Sequence, residues 1–365
     1  MTTRKAAARG GKSAGKGKMA GKIQTVLGPI EPDQLGITLT HEHLVIDMKC
    51  YREIPDDASS RWYWDKPLTI DILGNMARQA FRNKDTLELL DVNFAIQEVL
   101  KYRYAGGNSL VDATSIGIGR DPLALTRISR ATGLNIIMGA SYYTPVSYPA
   151  DIGSRTEQQI TDQIIRDVTV GVGDTGVKSG VIGEIGNFWP TNENTRKILR
   201  ASAHAAMETG APILIHPGFH PDSPAHILND LMEAGMDPKR VIIGHLDIID
   251  SMDAIRDIAE MGVMLEHDRF GWEDSQWGDI AGQTIVIPSD VQRMERYEQL
   301  IEWGFLDRLL VAQDVCMKTD TTAYGGKGYA HIVENIVPRM RKRGFTEKQI
   351  QTILVDNPKK ILTFV

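Results

Sequence analysis

Eight short apolar runs, several followed by stretches of helical periodicity, constrain the fold more than any other feature of this sequence. The predicted strands lie at 37–40, 109–112, 135–138, 180–183, 212–215, 241–244, 263–266 and 309–312. Helical patterns lie between them at 157–170, 194–208, 225–235, 252–260 and 290–303. Near-continuous apolar strands that alternate with helices indicate a parallel sheet buried on both faces. Eight such units predict an α/β fold, a (β/α)8 TIM barrel. The alternative, a doubly wound sheet, lacks a GxGxxG after its first strand.

The first 22 residues differ in composition from the rest of the 365-residue chain. They contain seven lysines and arginines, no acidic residue and few large apolar side chains. Such a segment buries too little apolar surface to offset the entropy of ordering it. We therefore expect a flexible basic tail over 1–22 and a single domain over 23–365, which no linker divides. Nucleic-acid tethering or organelle targeting is the alternative role for this tail.

The composition excludes several classes of protein. Cys50 and Cys316 are the only two cysteines, so a disulfide scaffold and a four-cysteine zinc module are both excluded. No apolar run reaches the roughly 18 residues of a membrane span, so no membrane partner is expected. The net charge of −6 argues against a nucleic-acid-binding body. With no secretory h-region in the sequence, the predicted location is the cytoplasm.

A long first βα loop, residues 48–87, far exceeds the usual few residues of such a connection. It carries the consecutive aromatic residues Trp62, Tyr63 and Trp64. These side chains are expected either to close a satellite core or subunit contact, or to line the substrate cleft. A later loop is predicted to cover the pocket with Trp272, Glu273, Asp274 and Trp277.

Histidines stand at the carboxyl ends of predicted strands. His41 and His43 follow the first strand, and the period of two in a strand points both to the same side, with Glu42 on the other. Two imidazoles held in this way form a bidentate platform for a metal ion. Taken alone, an HxH pair also arises by chance.

The same pattern recurs at four more strand ends. Strands four, five, six and eight are followed by Glu184, His216, His245 and Asp314. Because the carboxyl ends of barrel strands meet at one mouth, these side chains are expected to converge with the first histidine pair. Four imidazoles and two carboxylates suit divalent transition metals, Zn2+ above all, with Mn2+, Co2+ or Fe2+ as alternatives. His267, near the end of strand seven, is a further candidate.

Several motifs together resemble those of the phosphotriesterase family in the amidohydrolase superfamily, over residues 23–365. They are Thr40-His41-Glu42-His43-Leu44, Ile215-His216-Pro217-Gly218, Gly244-His245, Gln313-Asp314, and the spans 112–121 and 356–360. The family usually carries a carbamylated lysine at the end of strand four. Here Glu184 stands there, as in the phosphotriesterase-related branch. Because glutamate is shorter, either the backbone moves inward or the metal geometry changes.

The resemblance implies a binuclear metal centre. It assigns His41, His43 and Asp314 to the more buried ion, and His216 and His245 to the more exposed one, with Glu184 as the bridge. It also implies a bridging hydroxide that attacks a carboxylic ester, lactone or amide carbonyl of a small molecule, while Asp314 moves the proton. A homodimer is implied as well.

Two further residues are candidate substrate-binding groups by the same resemblance. Tyr143 corresponds to a lactonase tyrosine and either orients a substrate carbonyl or only walls the pocket. Arg269 stands where phosphotriesterases proper carry a proton-relaying histidine. It either holds a carbonyl or carboxylate, or forms an ordinary salt bridge with Asp268 or Glu266. The alternatives to this hydrolase are a phosphotriesterase proper and a non-catalytic ligand-binding barrel.

Overall fold

The computed structural model describes residues 19–273, 279–280 and 283–365. Most of the predicted tail, residues 1–18, lies outside this range, as do Asp274 and Trp277. At the end of the predicted tail, the backbone nitrogen of Gly21 donates a hydrogen bond to the carbonyl oxygen of Phe364 at 2.9 Å. Flexibility of the tail stays a prediction for residues 1–18.

Eight parallel strands form one sheet in which sequential strands are neighbours. They are β1 (Thr38–Glu42), β2 (Ser109–Asp112), β3 (Asn135–Ala140), β4 (Val181–Gly186), β5 (Ile213–His216), β6 (Val241–Ile243), β7 (Met264–His267) and β8 (Leu309–Val311). Each one overlaps an apolar run of the sequence. The predicted (β/α)8 barrel is therefore confirmed.

The sheet curls so that its first and last strands meet. The backbone nitrogen of Asp314 donates to the carbonyl oxygen of His41 at 3.3 Å. The buried carboxylate of Glu42 accepts hydrogen bonds from the backbone nitrogens of Gln313 at 2.7 Å and Val315 at 3.0 Å. The Glu42 side chain of β1 thus holds in place the segment after β8, which contains Asp314.

Helices lie between successive strands and cover the outside of the barrel. The longer ones are α1 (Val92–Tyr104), α2 (Pro122–Thr132), α3 (Glu157–Thr169), α4 (Glu193–Thr209), α5 (Ser223–Glu233), α6 (Met252–Met261) and α7 (Asp290–Glu302). Their ends follow local sequence signals: Thr156 and Ser289 close capping boxes at the starts of α3 and α7. After β8 come the helices Val337–Arg343, Glu347–Gln351 and Asn357–Leu362. Among the described residues, no helix is long and apolar enough to span a bilayer.

Apolar side chains fill the lower part of the barrel interior. One buried cluster takes a residue from seven successive strands: Val111, Ile137, Val181, Leu214, Ile242, Met264 and Leu310. Ile23 and Leu35 from the amino-terminal segment, with Ile361 and Leu362 from the last helix, belong to the same cluster. Because this end is packed with apolar groups, the polar residues that end the strands occupy the opposite, carboxyl-terminal mouth.

The long first loop is closed at its base by a short antiparallel pair, Ile46–Asp47 with Glu88–Leu89. Within it, Tyr63 packs on a small cluster of Leu68, Ile72 and Met76. Trp62 is 51% exposed and stacks on Tyr63, with ring centroids 4.0 Å apart. Tyr63 therefore matches the satellite-core alternative, whereas Trp64 packs against the main core. The loop lines the strand-end pocket with other side chains, Met48, Tyr51 and Phe81.

Candidate metal centre

The carboxylate of Glu184 lies among the four predicted histidines. Its Oε1 is 3.3 Å from Nε2 of His43, and its Oε2 is 3.4 Å from Nε2 of His41 and 3.3 Å from Nδ1 of His216. Nε2 of His245 is 3.7 Å from the same Oε2. All five side chains are buried. The structure thus brings together, around one carboxylate, ligand candidates that the sequence distributes over more than 200 positions.

An irregularity in β4 presents Glu184 to the centre. Ile182 pairs with Ile213 and Ile185 pairs with Ile215, so two residues of β4 oppose one residue of β5. Such a bulge redirects a side chain. Gly183 has a φ of 142°, and a Cβ there would lie 2.1 Å from the carbonyl oxygen of Leu214. Glycine is therefore required beside Glu184, and the backbone rather than a longer side chain carries Glu184 to the histidines.

One half of the centre consists of His41, His43 and Asp314, whose ligand atoms lie within 4.8 Å of one another. Oδ1 of Asp314 is 3.2 Å from Nε2 of His43 and 3.9 Å from Nε2 of His41. The other ring nitrogen of His43, Nδ1, lies 2.9 Å from Oγ1 of Thr114. This hydroxyl fixes the orientation of the His43 ring.

The other half of the centre consists of His216 and His245 with Glu184. Nδ1 of His216 and Nε2 of His245 are only 2.7 Å apart. His245 and Asp314 both occupy the left-handed region, with φ values of 55° and 50°. Non-glycine residues in this region carry strain that occurs preferentially at functional sites. The chain therefore departs from regular strand geometry at two of the predicted ligands.

The donor set fits divalent cations. Nε2 of His41 and Oε2 of Glu184 are buried and have no hydrogen-bond partner within the described part of the chain. Buried polar atoms without partners are costly, and imidazole nitrogens that converge with carboxylate oxygens match the ligand preference of Zn2+. The predicted residues thus form a cage of nitrogen and oxygen donors that suits metal ions.

The electrostatics of the cage agree with its being a cation site. Burial acts to raise the pKa of Glu184, but His41 and the other histidines hold it well below the usual range. Burial acts to lower the pKa of His43, yet its contacts with Asp314 and Glu184 raise it to about 9. Burial and the neighbouring His245 lower the pKa of His216 to about 4. Ionised carboxylates in a buried site attract positive charge.

The two candidate substrate-binding residues line the same pocket. Nη2 of Arg269 is 3.1 Å from Oδ2 of Asp314, whereas the sequence suggested Asp268 or Glu266 as its ion-pair partner. The Arg269 guanidinium also lies over the Trp272 ring, 4.5 Å from its centroid. The difference arises because the segment after β7 turns Arg269 across the barrel mouth toward β8. The direction of this turn cannot be predicted from the sequence alone.

Tyr143 follows β3 and faces His216, with ring centroids 5.2 Å apart. Burial raises the pKa of its hydroxyl well above the usual value, so it stays protonated and able to donate a hydrogen bond. Its neighbour Tyr51 comes from the long first loop, and the rings are 6.0 Å apart. The pocket wall beside the candidate metal cage is thus aromatic on this side.

The sequence analysis considered Asp268 only as an ion-pair partner of Arg269 and missed its place at the centre. Asp268 directly follows β7, as the predicted ligands follow their strands, and contacts both His41 and His245. The strand-end rule that selected the other residues would also have selected Asp268. His267, a further candidate, instead stacks on Tyr297 with centroids 4.7 Å apart and is outside the cage.

The model of the phosphotriesterase family matches residues 21–362 of this chain. A human protein named N-acetyltaurine hydrolase is 40% identical over 349 residues, which cover 95% of this chain and 99% of the relative. The family match and this relative each extend over nearly the whole chain. The similarity to the family and to this relative therefore includes the whole barrel with its carboxyl-terminal mouth.

Two solved structures are also similar. A resiniferatoxin-binding protein from Rhodobacter sphaeroides superposes with a TM-score of 0.89 and 34% identity, covering 94% of this chain and 95% of that one. A lactonase from Listeria monocytogenes superposes with a TM-score of 0.75 and 25% identity, covering 94% and 99%. Both comparisons cover nearly the whole of this chain.

Proposed function

Since the chain belongs to the phosphotriesterase family and is a hydrolase of that family, we propose that it is a binuclear metal-dependent amidase. Its proposed substrates are small N-acylated amines that carry an acidic group, the class that includes N-acetyltaurine. The relative of that name, at 40% identity over nearly both full lengths, supports the bond type and the substrate class. Zn2+ is the proposed metal, because imidazole and carboxylate donors suit it.

The observation that carries the proposal is the contact of one Glu184 carboxylate with four imidazoles at 3.3–3.7 Å. We assign His41, His43 and Asp314 to one cation and His216 and His245 to the other, with Glu184 shared. When bound, two such cations supply an ionised water as nucleophile at neutral pH and polarise the scissile carbonyl.

Asp314 is the residue proposed to move the proton. Burial acts to raise its pKa, but Arg269 and the neighbouring histidines lower it, so the carboxylate is ionised and can accept a proton. An amide releases an amine, which leaves readily only when it is protonated. Asp314 accepts the proton of the attacking nucleophile and delivers it to this nitrogen. The Arg269 contact keeps the carboxylate oriented during the transfer.

Tyr143 and Arg269 are the proposed contacts to the substrate. The protonated Tyr143 hydroxyl donates to the acyl carbonyl oxygen. Arg269 is positively charged at every physiological pH, and its planar guanidinium suits carboxylate or sulfonate oxygens. A cation in the pocket wall therefore favours substrates whose amine part ends in an anionic group.

Lactone or ester hydrolysis is the second candidate, favoured by the similarity to the Listeria lactonase. A phosphotriesterase proper is disfavoured, because Arg269 occupies the position of the relaying histidine and is a poor proton relay. The non-catalytic ligand-binding alternative is disfavoured by the presence of all six ligand candidates. The homodimer, the cytoplasmic location and the lack of a nucleic-acid partner stay predictions.

The test compares the wild type with Glu184→Ala and with Glu193→Ala, a control at a glutamate whose side chain is 82% exposed. Metal content is measured by elemental mass spectrometry after Zn2+ reconstitution. Rates are measured on N-acetyltaurine, on N-ethylacetamide, on a γ-lactone and on a phosphotriester. Two ions per chain in the wild type and the control, fewer in Glu184→Ala, and fastest turnover of N-acetyltaurine support the proposal. The proposal would be overturned if the wild type bound a single ion and Glu184→Ala bound it equally well. Fastest turnover of the lactone or the phosphotriester would also overturn it.

A further inference from the structure

One buried carboxylate contacts a histidine from each half of the candidate centre. Asp268 follows β7 and is 0% exposed. Its Oδ1 is 2.8 Å from Nδ1 of His245, and its Oδ2 is 3.1 Å from Nδ1 of His41. The same Oδ2 also accepts a hydrogen bond from the backbone nitrogen of His245 at 2.9 Å. Both carboxylate oxygens are therefore used, and they reach residues of β1 and the end of β6.

The two histidines present their opposite ring nitrogens to Glu184. Nε2 of His41 is 3.4 Å and Nε2 of His245 is 3.7 Å from Oε2 of Glu184. Nδ1 of His245 is hydrogen-bonded to Asp268, whereas Nδ1 of His41 faces the same carboxylate in an electrostatic contact without hydrogen-bond geometry. A neutral imidazole whose proton is on Nδ1 has its lone pair on Nε2. A carboxylate on the Nδ1 side thus selects the tautomer that can bind a metal, and it orients the ring.

We propose that Asp268 is a positioning residue that couples the loading of the two metal sites. Its carboxylate favours a proton on Nδ1 of both His41 and His245, and its hydrogen bond orients the His245 ring. This inference rests on the binuclear centre proposed above. Loss of Asp268 then affects one ligand of each cation, although Asp268 itself binds neither.

The remaining two histidines are held by other means. Nδ1 of His43 pairs with Oγ1 of Thr114 at 2.9 Å, and His216 turns its Nδ1 toward Glu184 at 3.3 Å. Asp268 thus contacts one histidine in each half, while the second histidine of each half is held by a different group. Removal of Asp268 is therefore expected to weaken both sites without eliminating either.

The chain supplies a matched control for this role. Glu266 is also fully buried, and its Oε2 is 3.5 Å from Nδ1 of His41. It is two residues before Asp268, and within the described part of the chain His41 is the only histidine of the centre that it contacts. Glu266→Gln changes a buried carboxylate beside one half of the centre, whereas Asp268→Asn changes a carboxylate shared by both halves.

The experiment measures Zn2+ affinity in chelator-stripped wild type, Asp268→Asn and Glu266→Gln, by titration against a chelating dye. Changes in hydrogen-bonding partners of metal-bound histidines lower metal affinity about 10–100-fold. We expect such a loss at both sites in Asp268→Asn, and at no more than one site in Glu266→Gln. Circular dichroism of the stripped proteins verifies that each variant folds.

The outcomes separate this inference from the function on which it rests. Two ions bound by Asp268→Asn with wild-type affinities, or a loss at one site only, would overturn the coupling and leave the binuclear centre intact. A wild type that binds fewer than two ions would overturn both.

If Asp268→Asn does not fold, the wild type itself supplies the test. In Zn2+-loaded protein labelled with 15N-histidine, nuclear magnetic resonance should detect protonated Nδ1 atoms in both His41 and His245. Their signals are assigned from spectra of His41→Gln and His245→Gln. An unprotonated Nδ1 in either ring would contradict the inference.

Discussion

Arg269 and Asp314 form an ion pair across the mouth of the barrel, with Nη2 and Oδ2 3.1 Å apart and both side chains buried. Arg269 follows β7 and Asp314 follows β8, so the pair joins adjacent strand ends. One partner is a proposed metal ligand and proton carrier, and the other is the proposed contact for an anionic substrate group. Two separable roles are therefore proposed for the same guanidinium.

Arg269→Lys and Arg269→Met distinguish these roles. If Arg269 binds the acidic group, Arg269→Met should raise KM for N-acetyltaurine about 10–100-fold, because a charge-assisted pair is lost, and leave KM for N-ethylacetamide little changed. The KM of Arg269→Lys for N-acetyltaurine should lie between those of the wild type and Arg269→Met, since lysine keeps the charge without the planar guanidinium. Steady-state kinetics on the two amides provide the measurement. An equal fall in kcat for both amides with unchanged KM would instead restrict Arg269 to holding Asp314.

Tyr143→Phe tests the role of the hydroxyl beside His216. Removal of one hydrogen-bond donor to a developing oxyanion lowers kcat about 100-fold where that donor acts in the transition state. We expect a fall in kcat with two ions still bound, because the phenyl ring keeps the packing against His216. Rates and metal content are measured on the same sample. If Tyr143→Phe had the kcat of the wild type, Tyr143 would only line the pocket and would not act in the reaction.

Gly183 is expected to be indispensable for the bridge. Gly183→Ala places a Cβ 2.1 Å from the carbonyl oxygen of Leu214 at a φ of 142°. Overpacking and backbone strain together should lower the free energy of unfolding by about 2–5 kcal/mol and displace Glu184, with loss of bound metal. Urea unfolding and elemental analysis check both effects.

The control for this substitution is Gly74→Ala. Gly74 lies within the short helix Ile70–Met76, and an added Cβ there meets no atom within 4 Å. Alanine in a helix interior stabilises by about 0.5–1 kcal/mol relative to glycine. We expect equal or higher stability with full metal content. Metal loss in Gly74→Ala, or its retention in Gly183→Ala, would refute the special role of Gly183.

The strands and the convergence of the strand-end residues were predictable because both depend on local order. Apolar runs mark buried strands, and the residue after each run lies at the mouth wherever the strands are parallel. The second role of Glu42 was not predictable in this way. The alternation of side chains along a strand correctly predicted that Glu42 points away from the HxH pair. Its carboxylate, however, accepts hydrogen bonds from Gln313 and Val315, which lie 271 and 273 positions away. Only closure of the barrel creates that contact.

Two other features depend on neighbouring chain segments rather than on local pattern. The bulge at Gly183 arises from the register of β4 against both β3 and β5, and an isolated glycine does not specify it. The long first loop contributes Met48, Tyr51 and Phe81 to the pocket. Its consecutive aromatic residues drew attention to another part of the loop, since composition identifies apolar side chains but not what they pack against.

The last prediction concerns the buried charge cluster behind the pocket. Oδ1 of Asp290 accepts a hydrogen bond from the Gly271 nitrogen at 2.8 Å and lies 3.2 Å from Nη1 of Arg293. Its Oδ2 is 2.8 Å from Nε2 of His331. Arg293 also donates to the carbonyl oxygen of Trp272 at 2.8 Å. The cluster thus holds the segment that follows Arg269.

Asp290→Asn should lower the free energy of unfolding at pH 7 by about 3–5 kcal/mol, the usual cost of breaking a buried ion pair. Burial acts to raise the pKa of Asp290, but His331, Gly271 and Arg293 hold it below its ordinary value. A depressed pKa contributes stability that is present above the unfolded value, about 3.9, and is lost as the pH falls toward the folded value. The gap between wild type and Asp290→Asn should therefore be widest at neutral pH and narrow below about pH 4.

Urea unfolding at several pH values, with chelator present so that metal release does not contribute, measures this gap. Asp257→Asn is the control, because Asp257 is an exposed residue of α6 and its substitution should change stability by less than about 0.5 kcal/mol at any pH. A gap between wild type and Asp290→Asn that stays constant down to about pH 3 would mean that the ionised carboxylate of Asp290 is not what stabilises the cluster. The segment after Arg269 would then be held chiefly by the bond from Arg293 to the Trp272 carbonyl oxygen.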